Sequence, residues 1–287
     1  MRDVALVTSS EFPGLSPDDR FLLTALLERG LDAVPAVWDD SSLDWSSFKV
    51  CVVRSSWDYH RRLPEFLAWV DRVSVLTRLW NPKETIRWNT HKLYLRDLET
   101  RGVPIVPTVW LESGTHATFL DVMQAEGWQQ AVIKPTVSAS AHETILVSRS
   151  EASRGQEHIE RLLPEMDLMV QPYLASVSEY GERSVMFVGG EFTHSVRRPA
   201  VLEDPHVEHN YPGMTPSDEE MELGWQALRA SARDYLYARV DIVRDDSNRA
   251  VLMELELVEP SLFFAQAPWA AERMADAIVR LCRDDRR

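Results

Sequence analysis

Short apolar runs recur along the chain at regular intervals, and the segments between them change period. In the first 80 residues VALVTSS, DAVPAVW, FKVCVVR and VSVLTRLWNP read as buried strands. SPDDRFLLTALLERG and PEFLAWVDRV carry apolar residues at helical spacing. The first of these has Ser16 to cap it, Pro17 in its opening turn, Asp18 and Asp19 at its positive end, and Gly30 to stop it. Alternating strand and helix predicts a small α/β unit with a parallel sheet, whose loops are where such sheets keep their ligands. RSSWDYH, residues 54–60, is one of those loops.

The pattern then shifts near Asn81-Pro82. NTHKLYLRDLETRG predicts one capped helix ended by Gly102 and Pro104. VPIVPTVWLE, QQAVIKPT, ETILVS and DLMVQPYL predict strands, interleaved with helices in HATFLDVMQAEG and RGQEHIERLLPE. Beyond them ERSVMFVGGEFTHSVRRP reads as a hairpin turning at Gly189-Gly190. A helix from Ser217 through DYL, two strands (ARVDIV and AVLMELELV) and a closing helix around ERMADAIVRLC complete the chain. The expected division is 1–82, 83–173 and 174–287.

VLMELELVEP, residues 251–260, is the point where apolar patterning and charge conflict. A carboxylate buried without a partner costs several kcal/mol. Side chains of a strand alternate between its faces, so Glu254 and Glu256 share one face while Met253, Leu255 and Leu257 face a core. The short turn RDDSNR makes ARVDIV an antiparallel neighbour, which brings Asp241 beside the two glutamates. Crowded carboxylates raise one another's pKa unless a cation intervenes, and magnesium prefers oxygen ligands. An exposed acidic face, or ion pairs with Arg239, would satisfy the same pattern. Glu259 precedes Pro260, which breaks the strand, and falls outside the metal set.

Composition narrows the classes. With 287 residues and 45% hydrophobic content, the chain is long enough for about two domains and a large core. A formal net charge of −14 argues against nucleic-acid binding, which needs a basic face. No apolar run spans a bilayer, and MRDVALVTSSEF meets charge too early for a signal peptide, so the cytoplasm is the expected location. Cys51 and Cys282 form no metal or disulfide framework. A homodimer is the default for oligomeric state.

Lys134 ends an apolar strand in VIKP and precedes the small-residue loop TVSASAHET, suited to phosphates sharing the metal. Lys92, taken alone, reads as a surface lysine. VQPYL leads from a strand into a hinge with exposed backbone. Arg197 and Arg198 are adjacent at a strand end, so only one of them faces any given site.

In order, Lys92, VIKP, VQPYL, Glu182 in GERS, HSVRRP, RVDIV and MELELVEP resemble the ATP-grasp superfamily from about Lys83 to Ser261. The implied fold is α/β and α+β, an ATP-grasp fold preceded by a Rossmann-like pre-grasp α/β domain. The resemblance implies that Lys92 and Lys134 contact ATP phosphates. It implies that Gln171, Pro172, Tyr173 and Leu174 hold adenine and that Glu182 holds the ribose. Arg197 or Arg198 would stabilise the transferred phosphoryl group. Asp241, Glu254 and Glu256 would hold two magnesium ions, with manganese as an alternative metal. Two departures stand out: TVSASAHET has no glycine, and Glu256 occupies a position where the family usually has asparagine. VVRSSWDYH, VIKPTVSASA, VQPYL and LMELELVEPSLFF look most like the glutathione-synthetase-like branch that contains the cyclo-ligase of cycloserine biosynthesis, which closes O-ureido-D-serine.

The implied activity is an ATP- and magnesium-dependent carboxylate–amine ligase acting through an acyl phosphate on a small amino-acid-like substrate, by two-substrate ligation or by cyclisation. In RSSWDYH, Arg54 is placed to fork onto a carboxylate and Asp58 to pair with an amine; a structural loop anchored by Trp57 is the alternative. A small-molecule kinase, a non-catalytic nucleotide-binding domain and a metal-dependent hydrolase are the competing classes. The absence of HRD and DFG motifs counts against a protein kinase.

Overall fold

A computed structural model describes residues 1–199, 211–212 and 214–284. Its described strands are β1 (Arg2–Thr8), β2 (Ala33–Val37), β3 (Phe48–Ser55), β4 (Arg78–Trp80), β5 (Val109–Leu111), β6 (Gln130–Pro135), β7 (Ile145–Ser148), β8 (Leu168–Pro172), β9 (Glu182–Val188), β10 (Glu191–Arg198), β11 (Tyr211–Pro212), β12 (Tyr237–Arg244) and β13 (Ala250–Glu256). They form three sheets, in the orders β2-β1-β3-β4, β5-β8-β6-β7 and β11-β10-β9-β12-β13.

The first sheet is all parallel, as alternating strands and helices require. Helix Asp19–Glu28 starts where Ser16 Oγ accepts the Asp19 amide at 3.1 Å. VSVL does not form a strand: it continues helix Leu63–Leu76, leaving only Arg78–Trp80 extended. The apolar spacing of Phe66, Trp69, Val70 and Val73 sustains that helix against the sheet.

The other two sheets are antiparallel. The hairpin β9–β10 turns at Gly189 and Gly190, both at positive φ, the backbone that a tight two-residue turn needs. The capping box of Ser217 and Glu220 starts helix Asp218–Ser231. That helix ends five residues before the predicted Leu236, with Ala232 in the left-handed conformation.

The closing helix, Pro268–Arg283, packs back against the first unit. Met274, Ala275 and Ile278 share one core with Val4, Leu6, Leu22 and Leu26, and with Met186 and Val188 of the last sheet. The first and last thirds of the chain are therefore continuous in their packing. Among the described residues no helix is long and apolar enough to cross a membrane.

Candidate functional site

A cavity of about 660 Å³ opens between the middle and last sheets, bounded on one side by the loop after β3. This is ample for a nucleotide-sized ligand. β12 and β13 form its floor. Asp241 pairs directly with Glu254 and Arg239 with Glu256, so the acidic face read from alternation exists. One oxygen from each of Asp241, Glu254 and Glu256 lies within 4.8 Å of the others. An exposed acidic face is excluded, because Asp241 is 1% exposed.

Met253 departs from the simple alternation. The register passes from Asp241–Glu254 to Ile242–Leu252, so Met253 is the extra residue of a bulge. It leaves the core that Leu255 and Leu257 enter, packs instead against the small cluster of Val106, Leu174, Val243 and Val251, and also lines the cavity.

Cations meet each carboxylate. Lys92 Nζ stands 2.8 Å from Glu254 Oε1, and Arg239 pairs with Glu256. Asp241 accepts from Ser184 Oγ at 2.6 Å and lies 2.8 Å from Arg198 and 3.1 Å from Arg239. Burial opposes ionisation of Glu254, but Lys92 and Lys134 outweigh it and hold the carboxyl below its usual range. Burial likewise opposes the charge on Asp241, and Arg198 and Arg239 overcome it. Glu256 behaves differently: burial, with Glu254 and Asp241 beside it, pushes it up to about 7 despite Arg239. The set is all hard oxygen, crowded, and carries more negative charge than its neighbours relieve at Glu256. That donor set fits a divalent cation such as magnesium.

Lys92 does not lie in a helix as predicted. Residues 83–89 form a helix of their own, and the next helix begins at Tyr94, so Lys92 sits in the turn between them. Its amide donates to Thr136 O at 2.7 Å and its ammonium to Ser138 O at 3.0 Å. The turn is thereby fixed to the loop that follows Lys134. Lys134 projects from the end of β6 into the cavity and makes no ion pair among the described residues. Burial lowers its pKa, with Glu254 opposing.

The glycine-free loop after Lys134 obtains its tight turns from other residues: Ser140, Ala141 and Glu143 all hold positive φ. Ser138, Ala139, Ser140 and Ala141 line the cavity. Arg161 Nη1, 3.0 Å from Glu143, anchors the far end of the loop.

Gln171, Pro172, Tyr173, Leu174 and Glu182 also line the cavity, at the edge formed by β8 and the start of β9. Gln171 is locked by Thr108 Oγ1 at 2.9 Å. The two arginines separate as strand geometry requires. Arg198 reaches into the cavity, between Glu182 at 2.5 Å and Asp241 at 2.8 Å. Arg197 turns to the opposite face, over the Tyr180 ring.

Arg54 and Asp58 are not brought to the cavity, which corrects the reading of RSSWDYH. Arg54 is 1% exposed; its Nε meets Asp19 Oδ1 at 2.8 Å and its Nη2 donates to Pro260 O at 2.7 Å. A buried guanidinium needs a buried counter-charge, and Asp19 of the first helix is that carboxylate. Asp58 accepts from Trp38 Nε1 at 3.0 Å and pairs with Arg62 at 3.3 Å. The residues of this loop that do line the cavity are Trp57 and Tyr59.

Sequence reasoning also missed a set of polar anchors. Asn89 Nδ2 donates to Leu255 O, Asn81 Nδ2 to Leu257 O, Tyr237 to Val258 O and Trp57 Nε1 to Glu259 O. Each donor is remote in sequence from its acceptor, so no local spacing reveals it. Together they fix the backbone that carries Glu254, Glu256 and Glu259.

A family model described as the N-terminal domain of D-cycloserine synthetase DcsG matches residues 4–81. The cycloserine biosynthesis protein DcsG of Streptomyces lavendulae is 32% identical over 291 residues, 96% of this chain and 97% of that protein. The crystal structure of D-cycloserine synthetase DcsG superposes with a TM-score of 0.87 at 32% identity, covering 97% of this chain and 99% of that one. A RimK domain ATP-grasp protein from Sphaerobacter thermophilus gives 0.70 at 18% identity, over 96% and 98% of the two chains. D-alanine–D-alanine ligase from Bacillus anthracis gives 0.69 at 12%, over 98% and 97%. These last two likenesses concern the fold. The chain therefore belongs to the D-cycloserine synthetase family, has the ATP-grasp fold, and is a ligase that forms carbon–nitrogen bonds.

Proposed function

We propose that the protein uses ATP and magnesium to activate the carboxylate of a small amino-acid-like substrate and joins it to a nitrogen, by ring closure of the D-cycloserine type. Residues 1–82, 83–173 and 174–287 are the three working units of this reading. Lys92 and Lys134 take the ATP phosphates, the backbone around Gln171 to Leu174 takes adenine, and Glu182 takes the ribose. Asp241, Glu254 and Glu256 hold two magnesium ions, with manganese able to substitute. Bound there, the metal neutralises phosphoryl charge. Arg198 supplies a further positive charge beside the transferred group, whereas Arg197 acts from the opposite strand face, through Tyr180.

The reaction balances without a further reagent. A carboxylate oxygen attacks the γ-phosphorus and ADP leaves. The nitrogen then attacks the acyl carbon, gives up a proton, and phosphate departs with the oxygen that came from the carboxylate.

The observation that carries this reading is the convergence of Asp241, Glu254 and Glu256 within 4.8 Å, at the floor of a cavity that Glu254, Glu256, Lys134 and Arg198 line. To test it, the protein is incubated with MgATP and O-ureido-D-serine, and ADP, phosphate and product are quantified. Equal ADP and phosphate with a cyclised product is the expected result. A stable phosphorylated product would instead indicate a kinase, and turnover without ATP a hydrolase.

A further inference from the structure

The acids lining the cavity are not equivalent. Glu182 pairs with Arg198, Glu254 with Lys92 and Glu256 with Arg239. Glu259 is 9% exposed and also lines the cavity; the Tyr59 hydroxyl meets its side chain, yet Glu259 makes no ion pair among the described residues. It stands outside the trio whose oxygens converge for a metal. A carboxylate withdrawn from water without a counter-charge is unfavourable, and a cationic ligand removes the penalty.

Its position is fixed. Trp57 Nε1 donates to the Glu259 carbonyl at 2.9 Å, and Arg54 Nη2 to the next carbonyl, Pro260 O, at 2.7 Å. Trp57, Tyr59 and Phe263 line the same cavity, and Trp57 and Tyr59 are the two that meet Glu259. Aromatic faces beside an acid favour an ammonium over a neutral group. Glu259 follows Glu256 by three residues, so a group held there lies next to the metal carboxylates.

We propose that Glu259 is the residue that binds the free amino group of the substrate. This deepens the ligase reading above and rests on it. Glu259 thereby selects against substrates whose amine is acylated or absent.

The test is calorimetric, on the full chain saturated with MgADP. The probes are D-cycloserine, which keeps a free amine, and N-acetyl-D-cycloserine, which does not. Wild type is expected to prefer the free amine by about tenfold or more, as a charge-assisted contact should. Glu259→Gln, which keeps shape and removes charge, is expected to bring the two probes within about threefold of each other by weakening D-cycloserine alone. MgADP affinity reports folding and should be unchanged. If Glu259→Gln does not bind MgADP, Glu259→Ala serves with the same expectation, since it leaves no polar group behind. A wild-type protein that binds both probes equally, or a variant that keeps the preference, overturns the inference alone. A wild type that binds MgADP and neither probe overturns the substrate reading and the inference with it.

Discussion

Lys92 Nζ lies 2.8 Å from Glu254 Oε1 and 3.0 Å from Ser138 O, so one ammonium ties an acid of the converging carboxylate trio to the loop beyond Lys134. Lys134, by contrast, enters the same cavity with no ion pair among the described residues. Two lysines with the same expected role in phosphate binding therefore differ in what they do for the fold.

That difference predicts opposite effects on stability. Lys92→Met leaves the half-buried Glu254 without its direct partner and should lower the thermal midpoint, by less than the ~3–5 kcal/mol that breaking a fully buried pair costs. Lys134→Met removes a cation that burial already disfavours, so the midpoint should hold or rise. Both variants should weaken MgATP binding, Lys134→Met by about 10–100-fold, the loss expected for a charge-assisted contact. Calorimetry and a thermal scan on each variant check this.

Glu254→Gln keeps volume and removes one charge of the proposed metal site. ADP formation should fall by at least about a hundredfold, the scale of losing one electrostatic element of a transition state. Raising magnesium should recover part of it. Unchanged activity at ordinary magnesium would remove Glu254 from the site.

Arg54 offers a test of a structural role against a substrate role. Arg54→Met strands Asp19, so stability should fall by about 3–5 kcal/mol. At about 2–4 °C per kcal/mol for a chain of this size, the midpoint should drop by about 10 °C. Michaelis constants measured well below that midpoint should change little. A large rise in KM at unchanged midpoint would restore Arg54 to substrate binding.

His194 gives the chain a pH dependence away from the cavity. Its ring is buried, Nε2 stands 2.9 Å from Leu262 O, and burial lowers its pKa to about 4. An unfolded histidine titrates near 6.5. Between pH 6.5 and about 4 the unfolded chain binds the extra proton and the folded one does not, so stability falls as pH falls through that window. The contribution is about 3 kcal/mol at most. His194→Gln should flatten this part of the profile, read as the difference from wild type in denaturation at pH 7 and pH 4.5.

The legible parts of the molecule were those governed by local periodicity. Alternation alone put Asp241, Glu254 and Glu256 on one face, and strand geometry alone required Arg197 and Arg198 to part. The short turn between β12 and β13 made that reading reliable, because register is set within a few residues. What local pattern does not contain was lost. The bulge at Met253 depends on pairing with β12. The burial of Arg54 depends on Asp19, in a helix far along the chain, and on Pro260, more distant still. The helix at 83–89 and the turn at Lys92 share one continuous polar–apolar pattern with the helix that follows, and it is the hydrogen bonds of Asn89 and Lys92 to remote backbone that interrupt it. In the sequence Glu259 is set apart from Glu254 and Glu256 by Pro260, which leaves it to orient substrate or close the loop; the structure adds that it lacks the cation that the other cavity acids have.

Phosphorylation of the substrate carboxylate before nitrogen attacks leaves an isotopic trace. The most direct measurement uses O-ureido-D-serine labelled with oxygen-18 in its carboxylate, MgATP, and mass analysis of the released phosphate. One labelled oxygen should appear in phosphate for each turnover, carried over from the acyl phosphate. Phosphate released at the same rate with no label would contradict the account, since ATP would then have been cleaved without activating the carboxylate.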